Sequence, residues 1–133
     1  MQLHIIKTLA DTKKLAIQLA RQLKGGEVIG LIGELGSGKT TFTQYLARAL
    51  GVTQTVNSPT FNIIKVYKII AAMAGSRRGG KNLKIKNFIH IDAYRLRSPR
   101  ELAALGIQEY FNDKQNVTVI EWADKVKPIL PKN

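Results

Sequence analysis

Gly33, Glu34, Leu35, Gly36, Ser37, Gly38, Lys39 and Thr40 fit the pattern GxxxxGK[ST] at every fixed position. A stretch of this kind cradles phosphate. Glycines let successive backbone N–H groups turn inward as an anion nest. The helix that follows adds unpaired N–H groups and a partial positive charge, worth roughly 0.3–2 kcal/mol. That is too little to hold a nucleoside triphosphate. Lys39 brings a full charge for the β and γ phosphates, and the Thr40 hydroxyl can ligate a Mg²⁺ that keeps most of its waters. Glu34, Leu35, Gly36, Ser37, Gly38, Lys39, Thr40 and Thr41 are therefore the candidate nucleotide contacts, with Lys39 a candidate catalytic group as well.

Two acids complete the candidate chemistry. Phe88–Ile89–His90–Ile91–Asp92 is an apolar strand that ends in a carboxylate, and Val117–Thr118–Val119–Ile120–Glu121 is a second. Ligands of parallel α/β sheets sit at the carboxyl ends of strands, so both acids should emerge where the glycine-rich loop opens. Asp92 suits a water-mediated Mg²⁺ contact. Glu121 could join the metal shell or orient an attacking water. Either acid could instead cap the turn that follows its strand. Ser58, Pro59 and Thr60 form a turn whose hydroxyls could sense the triphosphate as a switch, or simply open a strand.

The surrounding pattern supplies elements to position these groups. Leu15, Leu19 and Leu23, with Ala16 and Ala20, make the apolar stripe of a surface helix, capped by Thr8 or Asp11 and ended by Gly25 and Gly26. Residues 28–32 read as a buried strand into the loop. Residues 41–50 read as the helix out of it, buried through Phe42, Leu46, Ala49 and Leu50 and stopped by Gly51. Residues 61–70 and 83–91 read as antiparallel strands joined by a long basic loop. Ser98-Pro99-Arg100-Glu101 predicts a capping box opening a helix that Gly106 closes. Ile107–Phe111 should add a short helical turn, Thr55–Asn57 a short extended piece, and Lys125–Asn133 a tail or final extended segment. The expected fold is α/β: a single three-layer P-loop NTPase domain over residues 1–133, with a mainly parallel central sheet and an antiparallel hairpin.

Composition narrows the partners. With 21 basic and 9 acidic residues the net charge is +12, which favours an anionic partner. No acidic residue lies between Glu34 and Asp92, whereas Arg77, Arg78, Lys81, Lys84 and Lys86 do, a candidate anion contact. There is no cysteine, which excludes a disulfide framework and a thiolate zinc site. His4 and His90 are too far apart for a metal motif and read as ordinary structural histidines. Neither a leader nor a membrane span is visible, so a cytoplasmic protein is expected.

Beyond the phosphate loop, SPTF at 58–61, IDAYRL at 91–96, Glu101-Leu102 through Gly106-Ile107 and IEWADK at 120–125 occur together. The chain resembles the TsaE (YjeE) family, small P-loop ATPases of bacterial tRNA threonylcarbamoyladenosine synthesis. The resemblance implies a Mg²⁺-dependent ATPase acting with two partner proteins, TsaB- and TsaD-like, on modification of the adenosine next to the anticodon. It further implies that Ser58–Thr60 act as a switch, Asp92 as the metal-binding acid and Glu121 as the acid required for hydrolysis. tRNA could meet the basic loop. That loop, Ala71 to Lys81, is longer and more basic than the family pattern, which would also continue with a further strand beyond Pro131. The residues alone also admit a small P-loop kinase, with Asp92 as substrate base, or a nucleotide-dependent RNA-binding module.

Loss of the Lys39 charge should weaken ATP binding without unfolding the chain. We expect Lys39→Ala to lower Mg·ATP affinity by roughly 10- to 100-fold, the scale of a charge-assisted contact. Calorimetric titration reads it, and unchanged binding by a folded variant would contradict the phosphate-cradle assignment.

Overall fold

A four-residue spacing of apolar side chains turns residues 9–22 into helix α1 (Leu9–Gln22), with Ala16, Leu19, Ala20 and then Leu23 buried along one side. Asp11 lies in the first turn, where a negative charge complements the helix dipole, rather than at the cap. The computed structural model describes residues 9–32, 39–57, 63–70 and 84–131, without the side chains of residues 9, 10 and 39. Loop residues Gly33–Gly38, the Ser58–Pro59–Thr60 turn and the basic residues Arg77, Arg78 and Lys81 fall outside that description.

Strand β1 (Val28–Leu31) leads toward the phosphate loop, and helix α2 (Lys39–Leu50) leaves it. The helix starts two residues earlier than its apolar pattern suggests, so Lys39 and Thr40 belong to its first turn. Its end is a Schellman arrangement: Gly51 takes φ 107°, its N–H reaches Arg48 O at 3.1 Å, and Val52 N–H reaches Ala47 O at 2.9 Å. Residues 55–57 form no strand, although Val56 is buried and its carbonyl accepts from Gln44 Nε2 at 2.7 Å.

Strands β2 (Ile64–Lys68) and β3 (Asn87–Asp92) pair antiparallel, as the sequence suggests, but both are shorter than its apolar runs. The run before Asn87 is diverted: the N–H groups of Lys86 and Asn87 both donate to Gln115 O, at 2.7 and 3.0 Å. Helices α3 (Pro99–Ala103) and α4 (Ile107–Asn112) then lead into β4 (Asn116–Glu121). The capping box does not close at Ser98. No Ser98 side-chain cap bond forms, and Glu101 Oε1 accepts from the N–H of Arg97 instead, at 3.2 Å. With Ser98 extended at φ −153°, ψ 158°, the Glu101 carboxylate reaches one residue past the box position.

The sheet order is β1-β4-β3-β2, with β1, β4 and β3 parallel and β2 antiparallel at the edge. Strand alternation assigns the two faces. Ile29, Leu31, Phe88, Val117 and Val119 pack against α1 and α2, while Ile89, Ile91 and Ile120 pack against Leu102, Ile107 and Phe111 of α3 and α4. Each fully buried Leu, Ile or Phe contributes roughly 1.5–3 kcal/mol relative to exposure. The expected C-terminal tail is instead a 3₁₀ segment, Ala123–Ile129, kinked at Val126. Val126 and Leu130 are buried in the second core, and that packing overrides the two prolines. Among the described residues no helix is long and apolar enough to cross a membrane.

One turn brings β1 against β4. Gly25 has φ 114°, and its N–H and that of Lys24 donate to the Glu27 carboxylate at 2.6 and 2.7 Å. A Cβ on Gly25 would stand 2.1 Å from the Lys114 carbonyl oxygen, whereas one on Gly106 (φ 77°) would meet nothing within 4 Å. Gly25→Ala should therefore cost about 2–4 kcal/mol and Gly106→Ala about 1 kcal/mol. Chemical denaturation of both variants checks this, and equal losses would contradict the steric account.

Candidate functional site

Parallel pairing puts the ends of three strands in one row: Leu31 is in register with Glu121, and Glu121 with Asp92. Alternation along β3 directs Phe88, His90 and Asp92 to one face, the face covered by α2. Glu121 shares that face with Val117 and Val119. The first turn of α2 lies over the row, and the Thr40 hydroxyl donates to Glu121 Oε1 at 3.1 Å. A residue of the phosphate-loop motif thus touches a strand-end acid 81 positions away.

Glu121 is 3% exposed. Burial of an ionised carboxylate costs several kcal/mol unless hydrogen bonds offset it. Thr40 supplies one such bond. The other comes from His90, fully buried, with Nε2 at 2.5 Å from Glu121 Oε2. With the carboxylate ionised this contact has Nε2 as the donor, since a carboxylate only accepts. The opposite nitrogen, Nδ1, is buried and has no hydrogen-bond partner among the described residues. His90, read from the sequence as an ordinary structural histidine, is thus paired with the strand-end acid Glu121. The signal was present: His90 stands two residues before Asp92 in an apolar strand and must share its face.

Asp92 is half-buried at the mouth of the row. Its Oδ1 accepts from the N–H of Tyr94 at 2.9 Å, so the turn-capping alternative holds for that oxygen. Ala93 N–H donates to the Glu121 carbonyl at 3.0 Å and ties the two strand exits together. Past Glu121, Trp122 takes the left-handed conformation at φ 60°, the one described non-glycine residue to do so. Its ring lies 5.0 Å from that of Tyr94, and the Lys125 ammonium stands 4.9 Å from the Tyr94 ring and 5.8 Å from the Trp122 ring. Lys125 also donates to the Tyr94 carbonyl.

Thr41 is half-buried in the first turn of α2. Lys84 and Lys86 are exposed just before the start of β3, the end of that strand opposite Asp92. Among the described residues no group of three or more His, Cys, Asp or Glu could hold a metal by itself. Thr40, Glu121 and Asp92 nonetheless present hard oxygen donors along one edge, the kind of set that Mg²⁺ shares with phosphates and water.

A mixed, mainly parallel sheet, with acids at its carboxyl ends beside the helix that follows GxxxxGKT, is consistent with the P-loop class of α/β proteins. The family whose model matches residues 6–133 is "Threonylcarbamoyl adenosine biosynthesis protein TsaE", and the chain belongs to that family. It is 40% identical over 121 residues to the Bacillus subtilis protein called "tRNA threonylcarbamoyladenosine biosynthesis protein TsaE", covering 91% of this chain and 66% of that one. Proteins of the same name from Rickettsia conorii and Aquifex aeolicus are each 36% identical, over 129 and 126 residues. These matches cover 96% and 93% of this chain, and 65% and 78% of the respective relatives. The chain thus spans about two thirds of the length of the Bacillus and R. conorii proteins.

Proposed function

We propose that this chain binds and hydrolyses ATP, with Mg²⁺, in support of N6-threonylcarbamoylation of the adenosine next to the anticodon in tRNA, together with two partner proteins of the TsaB and TsaD kinds. Family membership supports the pathway. The observation that carries the chemistry is the Thr40–Glu121 hydrogen bond, which joins the first turn of the phosphate-loop helix to a buried acid at a strand end.

In this reading the chain is one P-loop NTPase domain in the cytoplasm. Backbone N–H groups of Glu34 to Thr41 and the Lys39 ammonium would hold the triphosphate. Mg²⁺, when bound, would supply neutralisation of the triphosphate's charge. Thr40 is suited to the metal, because its only hydroxyl hydrogen is given to Glu121 and its oxygen can then act toward a cation only as an electron-pair donor. Asp92 would hold the metal's water shell with the oxygen that Tyr94 does not use. Glu121 would orient water for attack on the γ phosphorus, since each carboxylate oxygen retains acceptor capacity beyond its present bond. The P–O bond to ADP then breaks, with ADP and phosphate as products. Ser58–Thr60 would register the γ phosphate, and the basic loop would contact tRNA.

The test is ATP turnover by the chain alone and with both partner proteins, for the parent and for Glu121→Gln. The parent should turn over slowly alone and rise at least about tenfold on mixing; Glu121→Gln should bind Mg·ATP yet lose about 100-fold or more in single-turnover rate. Parent-rate cleavage by Glu121→Gln would remove the catalytic assignment, and an absent response to the partners would remove the assembly.

A further inference from the structure

His90 is a wholly buried polar side chain in the apolar face of β3, flanked on that face by Phe88 and facing Val119 across the β3–β4 pair. An isoleucine would suit such a position. Replacing a buried ionic or strongly polar pair by well-packed apolar residues is usually neutral or stabilising, so fold stability is a poor reason for keeping this one. Its geometry offers a better reason. Nε2 is 2.5 Å from Glu121 Oε2, and the other carboxylate oxygen accepts from the Thr40 hydroxyl at 3.1 Å. Two side chains converge on the carboxylate: His90 meets one of its oxygens and Thr40 donates to the other.

We propose that His90 is a positioning residue for the nucleotide site, holding the Glu121 carboxylate so that its other oxygen captures the Thr40 hydroxyl hydrogen and leaves the hydroxyl oxygen an acceptor. The proposal rests on the reading of Thr40 and Glu121 given above. Direction follows from donor counts. A threonine hydroxyl has one hydrogen, and an ionised carboxylate has none to give. Fixing that hydrogen on Oε1 makes the hydroxyl oxygen an acceptor toward everything else, which is what a cation requires and what a freely rotating hydroxyl does not guarantee. Without His90, the carboxylate would lose its anchor at Oε2. It could then rotate about its terminal torsion, which is broad and roughly two-fold in glutamate, and release Thr40. The bare Nδ1 fits the same assignment, because an N–H there would be a buried donor with no acceptor among the described residues.

Two variants separate positioning from packing. His90→Leu fills the space and removes the donor, whereas His90→Gln returns an amide N–H at about the reach of Nε2. With the partner proteins present and the enzyme in saturating excess over ATP, single-turnover hydrolysis should slow about 10- to 100-fold in His90→Leu and recover to within about fivefold of the parent in His90→Gln. In the Glu121→Gln background, His90→Leu should add less than about twofold, as expected of residues acting through one another. A parent rate in His90→Leu overturns the proposal, as does an equal slowing in both backgrounds. A parent rate in Glu121→Gln alone removes the reading of Glu121, and His90's role with it. A measurement free of activity, and of whether His90→Leu folds, is the ¹H–¹⁵N imidazole spectrum of the nucleotide-free chain. His90 should show an Nε2-bound, slowly exchanging proton whose resonance shifts in Glu121→Gln. Its absence, or no shift, would also overturn the proposal.

Discussion

Burying a carboxylate at the end of a central strand is tolerable only if its oxygens are hydrogen-bonded, and the arrangement around Glu121 follows from that requirement. Thr40 comes from the helix above the sheet and His90 from the neighbouring strand, so the contact fixes three elements at once. It requires β3 and β4 to be adjacent and parallel in the observed register, because a slip of one residue would turn His90 to the opposite face. It also requires α2 to begin at Lys39, since a helix starting at Thr41 would leave Thr40 in the loop.

The strand exits are braced on their outer side as well. Trp122 turns the chain with a positive φ that a bulky residue adopts only when its surroundings impose it. Here the Tyr94 ring and the Lys125 cation pack around it. Asp92 holds the turn through Tyr94, while Ala93 bonds the Glu121 carbonyl. The backbone at both acids is thus secured from the sheet and from the turns beyond it. That rigidity suits groups whose proposed work depends on the placement of charge.

Local pattern revealed a good deal of this. The apolar strands ending in Asp92 and Glu121, the stripe of α1 and the glycines at 25, 26 and 51 each signal through neighbours a few residues away. The missing parts were set by distant contacts. His90 looked ordinary because its partner is 31 residues off, and only the strand order β1-β4-β3-β2 makes them neighbours. Pro128 and Pro131 suggested a tail, yet burial of Val126 and Leu130 against the second core draws that segment into a 3₁₀ turn. The capping box had the right residue types but the wrong reach. At Asp92 the turn-capping alternative engages one oxygen, and the role proposed above would fall to the other.

The most direct test of the account is a crystal structure of the chain with Mg²⁺ and a non-hydrolysable ATP analogue. The expected result has the triphosphate at the N-terminus of α2, the Thr40 hydroxyl oxygen in the metal shell and Glu121 still within hydrogen-bond distance of His90 Nε2. A nucleotide bound elsewhere, or a Glu121 carboxylate turned away from both Thr40 and His90 once the analogue is seated, would contradict it.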